Sequence, residues 1–171
     1  HTPGHKQRCL LSSVHMAFPH RGCYAVIGPS GCGKSTLLKA IAGLLPTEGG
    51  TITWNGRQVS KTGWMPGEFG YVPQFTIAQD YLTVRENLVD TMRLRIRGVT
   101  PEQQQKRTDD ILDAIGLAHR IDYPVRVLSG GEKRRLSLGM ELTSRPDILL
   151  CDEVTSGLDP KAEEAVFDVL L

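Results

Sequence analysis

Eight consecutive residues, Gly28-Pro29-Ser30-Gly31-Cys32-Gly33-Lys34-Ser35, limit what this chain can fold into more than any other stretch. They fit the pattern G-x-x-x-x-G-K-[ST]. An apolar run with Tyr, Val and Ile at residues 23–27 precedes them and predicts a buried strand. Residues 34–42 follow as a predicted helix, stopped by Gly43. A strand, a glycine-rich loop and a helix start in that order form a phosphate cradle. The glycines free backbone N–H groups to face an anion, and the helix start adds unpaired N–H donors and the positive end of a dipole. Lys34 then sets a cation against the β- and γ-phosphates of ATP, and the Ser35 hydroxyl is placed to ligate Mg²⁺. The expected nucleotide-binding set is Gly28, Pro29, Ser30, Gly31, Cys32, Gly33, Lys34, Ser35 and Thr36.

The rest of the chain reads as α/β with a helical interruption. Residues 51–54 predict a strand, Asn55-Gly56 a hairpin turn, and residues 69–72 another strand stopped by Pro73. From about residue 78 the pattern turns helical. Thr83-Val84-Arg85-Glu86 has capping-box spacing and opens an amphipathic helix towards Leu94. Thr100-Pro101-Glu102-Gln103 opens a second helix, with Pro101 at its first position and Gly116 as its stop. Ser129-Gly130-Gly131-Glu132 opens a third, which Pro146 breaks. Residues 148–151 predict a buried strand, and Asp159-Pro160 caps a last helix. The expected division is an α/β core of residues 1–77 and 141–171, interrupted by a helical subdomain of residues 78–140.

Composition closes off several classes. At 171 residues the chain can bury one real core. A formal charge of +1 argues against a general nucleic-acid binder, so no nucleic-acid partner is expected. The four cysteines, Cys9, Cys23, Cys32 and Cys151, form no C-x-x-C pair and read as free thiols of a reducing compartment. No apolar stretch approaches the roughly 18 residues of a membrane span, so any link to a membrane is expected to run through a partner. The chain starts at His1 and stops at Leu171 inside an apolar helical pattern, and it is expected to be a fragment, truncated at its C-terminal side.

Two further motifs choose among phosphate-loop proteins. Ile148-Leu149-Leu150-Cys151-Asp152-Glu153 is an apolar strand ending in adjacent carboxylates. Beside a phosphate loop, Asp152 is placed to hold Mg²⁺ and Glu153 to polarise a water for in-line attack on the γ-phosphate. The Asn-Lys-x-Asp base-reading motif of GTPases is missing. Leu128-Ser129-Gly130-Gly131-Glu132 supplies a second anion-binding helix start, which suggests that two copies of the chain share each nucleotide.

Taken together these motifs resemble the nucleotide-binding domain of ABC-type ATPases. Gly28 to Ser35 resembles the Walker A loop, Tyr71-Val72-Pro73-Gln74 the Q-loop, and Leu128 to Glu132 the signature. Leu149 to Asp152 resembles the Walker B strand with Glu153 as catalytic carboxylate, and Ser156-Gly157-Leu158-Asp159 the D-loop. The resemblance spans nearly the whole chain. It implies a P-loop NTPase (RecA-like) core with an inserted helical subdomain, working as a head-to-tail dimer that closes on two ATP molecules. Ser129, Gly130 and Gly131 would then meet the nucleotide of the opposite subunit, with Asp159 close by. Gln74 would join the Mg²⁺ and water network and couple it to a transmembrane permease domain at the cytoplasmic face of a membrane. The runs around residues 82–95 and 130–135 are most similar to the White/ABCG-type exporter branch. A soluble ABC-type ATPase acting on ribosomes or DNA is the alternative. Three departures stand out: Val154 replaces the usual proline after the catalytic glutamate, no histidine follows Asp159, and only His5 lies near the place of an adenine-stacking aromatic. An ordinary exposed histidine explains His5 equally well.

Overall fold

The computed structural model describes residues 11–19 and 22–154. His5, the D-loop motif with Asp159 and the expected last helix lie outside the described residues.

Helix α1 (Lys34–Ile41) leaves the phosphate loop, with Gly33 as N-cap at φ 100°. That left-handed backbone is why a glycine stands there. Strands β1 (Thr53–Trp54) and β2 (Arg57–Gln58) form an antiparallel hairpin. Its two central residues, Asn55 (φ 48°) and Gly56 (φ 76°), both take the positive φ that a tight type I′ turn needs. The short helix α2 (Val59–Thr62) follows, unforeseen from the sequence. Strand β3 (Phe69–Val72) pairs in parallel with β4 (Ile148–Cys151), Phe69 opposite Ile148 and Val72 opposite Cys151.

Between those strands lie three helices, each opened by a complete capping box. These are α3 (Val84–Arg95) with Thr83 and Glu86, α4 (Pro101–Ala114) with Thr100 and Gln103, and α5 (Gly130–Leu142) with Ser129 and Glu132. In each, the hydroxyl accepts the N3 amide while the N3 side chain accepts the N-cap amide, satisfying two otherwise unpaired donors. Val84, Leu88 and Met92 recur every fourth residue of α3 and so line one face. They pack with Ile111 and Leu112 of α4, Leu136 and Met140 of α5, and Ile115, Leu117, Val125 and Leu128 from the connections. A smaller apolar cluster of Val72, Leu138 and Val154 joins α5 to the strand pair.

Two expectations need correction. Residues 23–27 form no strand; the run lies unpaired among the described residues and Ile27 is 91% exposed. Apolar, β-branched sequence makes a strand only when a neighbouring ladder and a covering layer are present, and none among the described residues supplies them. β4 is half-buried along its length rather than buried. Helix α5 ends at Leu142. No helix among the described residues is long and apolar enough to cross a membrane.

Candidate functional site

The parallel register of β3 and β4 decides where the chemistry meets. Both strands end at the same level, so the segment after Val72 and the carboxylates after Cys151 emerge side by side. The Asp152 amide still donates to the Val72 carbonyl (2.9 Å), and the Asp152 side chain is 3% exposed. Its two oxygens have separate donors. The Ser35 hydroxyl on the first turn of α1 donates to Oδ1 at 2.7 Å, and the Tyr71 phenol donates to Oδ2 at 3.0 Å. Burial, then the hydrogen bond and charge of Asp152, push the Tyr71 phenol up to about 12. It therefore stays protonated, and a donor, throughout the neutral range.

Glu153 turns the other way. It takes φ 51°, a left-handed backbone uncommon for a side chain with a Cβ, and its carboxylate is exposed. Its Oε2 accepts from Gln74 Nε2 at 2.9 Å. Val154 then turns back inward, 8% exposed, against Val72 and Leu138. The residue in the place of the family's proline is thus a core contact. A proline there would push Glu153 towards extended backbone, away from its present turn.

The loop itself is open. Lys34 Nζ donates to the carbonyls of Gly28 and Pro29, each at 2.9 Å, so the cation folds over its own loop. A Cβ on Gly28 would come within 2.7 Å of Cys32 Sγ, so a side chain there requires the Cys32 thiol to turn away. No side chain caps α1 at Gly33, in contrast to the three capping boxes elsewhere. Its first-turn N–H groups are left for an incoming acceptor. Pro29, Ser30, Gly31 and Cys32 are exposed, and Thr36 is half-buried on α1.

Of the residues expected from sequence, one hydrogen bond joins Ser35 to Asp152 and another Gln74 to Glu153, while Lys34, next to Ser35 in the chain, engages its own loop. The Gln74 amide engages Glu153, and no hydrogen bond among the described residues carries it to Ser35 or Asp152. Ser129 and Gly130 are exposed and Gly131 is half-buried at the start of α5, with no hydrogen bond among the described residues joining them to the phosphate loop. The Ser129 hydroxyl accepts from the Glu132 amide (3.2 Å), and the Glu132 carboxylate accepts from the Ser129 amide (2.7 Å) and from Arg120 Nε (3.0 Å). Burial works against the Glu132 charge, but the Ser129 and Arg120 contacts outweigh it and hold that carboxyl below its ordinary range.

Sequence reasoning missed four residues around this site. Tyr71 is one, although period-two alternation puts it on the same face as Leu150 and Asp152. Glu141 on α5 is another. It is 3% exposed, takes both Arg95 nitrogens at 2.6 Å and accepts the Tyr71 amide at 3.2 Å. Thr76 and Asp80 complete the group, tying the segment after Gln74 to α5 through Ser137 (3.0 Å) and Lys133 (2.8 Å).

The family model described as ABC transporter matches residues 11–156 of the chain. The chain belongs to the ABC transporter family. This ABC domain is 30% identical over 165 residues to the linearmycin resistance ATP-binding protein LnrL of Bacillus subtilis, covering 96% of the chain and 52% of LnrL. It is 36% identical over 166 residues to the methionine import ATP-binding protein MetN of Geobacillus kaustophilus, covering 94% of the chain and 48% of MetN. With ABC transporter G family member 22 of Arabidopsis thaliana the identity is 40% over 143 residues, 79% of the chain and 19% of that protein. The chain thus spans about half the length, or less, of these curated relatives. A solved dimer of the ATP-binding cassette MJ0796, in a post-hydrolysis state bound to ADP and Pi, aligns with a TM-score of 0.72 at 27% identity. The alignment covers 83% of this chain and 65% of that one. The fold of this ABC domain is the α/β P-loop NTPase fold. The relatives include import and export proteins alike, and the similarity spreads across branches.

Proposed function

We propose that this chain binds ATP with Mg²⁺ and hydrolyses it to drive a membrane transporter. The observation that carries the reading is the 2.7 Å contact from Ser35 to Asp152, which joins the phosphate loop to the carboxylate strand across 117 positions of sequence. Adjacent hard oxygen donors at the mouth of a phosphate loop suit a small divalent cation. Ser35 and Asp152 would hold Mg²⁺, with Gln74 beside them, and the ion would neutralise charge on the β- and γ-phosphate oxygens.

The chain's own groups then divide the work. Lys34 exchanges its two backbone carbonyls for phosphate oxygens, and the glycine-rich backbone and Thr36 contribute N–H donors. Glu153, exposed at the strand end, accepts the proton of the attacking water, and Gln74 holds the Glu153 carboxylate in place. Ser129, Gly130 and Gly131 serve the nucleotide of a second, head-to-tail copy, a reading supported by the dimeric cassette and by the lack of any hydrogen bond to their own loop among the described residues. Asp159 belongs to the same junction. The core of residues 1–77 and 141–171 carries the loop and the carboxylates, and the subdomain of residues 78–140 carries the signature. A transmembrane permease domain is the coupled partner, which sets the chain at the cytoplasmic face of a membrane. The similarity to the Arabidopsis G family member supports the White/ABCG-type exporter branch.

Two results are expected. In the full-length protein, Lys34→Ala should weaken ATP binding by about 10–100-fold, the scale of one charge-assisted contact of about 1.5–3 kcal/mol. Displacement of a fluorescent ATP analogue reads this directly, and unchanged affinity would remove Lys34 from the site. Ser129→Cys should form an intersubunit disulfide with the native Cys32 on mild oxidation with ATP present, visible as a dimer on a non-reducing gel. A crosslink that persists after Cys32→Ser, or none at all, would refute the shared site.

A further inference from the structure

Asp152 is the residue through which the phosphate loop and the sheet communicate, and its carboxylate has a fixed orientation. A carboxylate at the end of a strand can rotate about χ1 and χ2 unless both oxygens are held. Here Ser35 reaches one oxygen (2.7 Å) and Tyr71 the other (3.0 Å). The phenol comes from the strand that pairs with β4 itself, the hydroxyl from helix α1. Tyr71 pairs with Leu150 in the parallel ladder, so it and Asp152 share a face two residues apart along the sheet. Two residues of parallel strand span about 6.6 Å, a distance that a tyrosine ring laid along the sheet crosses and a serine or threonine does not. Phenylalanine would cross it without a donor. The Tyr71 backbone is held as well, its amide donating to the buried Glu141 at 3.2 Å.

We propose that Tyr71 is a positioning residue of the MgATP site: its phenol, donated to Asp152 Oδ2, holds the carboxylate so that Oδ1 faces Ser35 and the metal position between them. This rests on the reading of Ser35 and Asp152 as the Mg²⁺-holding pair. Ser35 can offer its oxygen to the metal while its proton stays on Oδ1, and the Tyr71 phenol then fixes the second oxygen, which Ser35 does not reach.

The test uses the full-length protein with a non-hydrolysable ATP analogue, and Mn²⁺ as a spectroscopic stand-in followed by electron paramagnetic resonance. Tyr71→Phe should weaken Mn²⁺ binding to the protein–nucleotide complex by about 10–100-fold, the usual cost of removing an outer hydrogen bond to a metal ligand. Binding of the analogue in EDTA should match wild type, which also shows that the variant folds. In an Asp152→Asn background the same Tyr71→Phe change should have no further effect on Mn²⁺. An unchanged Mn²⁺ affinity in Tyr71→Phe overturns the proposal. So does an equal loss in the Asp152→Asn background, because a general packing role would act in both. Wild-type protein that binds neither the analogue nor Mn²⁺ would overturn the MgATP reading itself.

Discussion

Replacing Glu153 by glutamine should cut ATP turnover of the full-length protein by about 10²–10⁴, the scale of a positioned general base, while ATP binding persists. The geometry sets these two effects apart. Glu153 contacts neither Lys34 nor Ser35; its one hydrogen-bond partner among the described residues is Gln74, at 2.9 Å. Glutamine has the same length and offers Gln74 an acceptor oxygen, so the local turn and the neighbouring Asp152 have no reason to move. What disappears is the carboxylate that takes a proton from water. The left-handed backbone at φ 51° is kept, since both side chains carry the same Cβ. Phosphate release and analogue binding measured on one preparation separate the outcomes. Turnover like wild type would exclude Glu153 as the base, and loss of binding would show that its charge supports the nucleotide site.

Arg95→Ala should be strongly destabilising, at the lower end of about 3–5 kcal/mol. Glu141 is 3% exposed, and Arg95 covers both of its oxygens at 2.6 Å. Removing the guanidinium leaves a buried carboxylate whose remaining donor is the Tyr71 amide. The Arg95 side chain is itself 34% exposed, so water can enter part of the vacated space and keeps the loss below the upper end. The hydrogen bonds that Arg95 donates to Glu141, ahead of the opposing effect of burial, raise the Arg95 pKa above its ordinary value, so the guanidinium is charged at any working pH. Against a typical total of about 5–15 kcal/mol such a loss lowers the unfolding midpoint visibly. The pair Arg95→Met with Glu141→Leu should recover most of it, because no buried charge is left uncompensated. A single variant as stable as wild type in chemical unfolding would contradict this account. If the double variant were as unstable as the single, packing rather than charge would be the cause.

The two predictions lie on different levels of the chain. Glu153 is legible in the sequence, as the second carboxylate after an apolar strand in a chain with a phosphate loop. Glu141 is not. It sits in the last turn of α5 between Met140 and Leu142, and its partner Arg95 lies 46 positions away. Nothing local distinguishes that carboxylate from an exposed one. Tyr71 falls between these cases: its strand was readable, but its reach to Asp152 depends on which strand lies beside it and in what register.

Local rules carried the elements whose causes are local. Capping boxes at Thr83, Thr100 and Ser129 satisfy backbone groups within a few residues, and the positive-φ backbone at Asn55-Gly56 and at Gly33 is set by the residue types standing there. They appear where the residue types demand them. The run at residues 23–27 failed for the complementary reason. A strand is completed by a partner ladder, and composition does not provide one among the described residues.

The sequence by itself determined that this chain has a phosphate loop, two carboxylates after a strand and a second glycine-rich helix start, because each is a short pattern whose chemistry is complete in adjacent residues. Only the tertiary structure decided which groups meet. The parallel register of β3 and β4 sets Tyr71 behind the Asp152 carboxylate, and the placement of α1 brings Ser35 to the same carboxylate across 117 positions. The register also leaves Glu153 facing Gln74. Contacts of that range follow from how strands align and helices pack, and those depend on the whole chain at once.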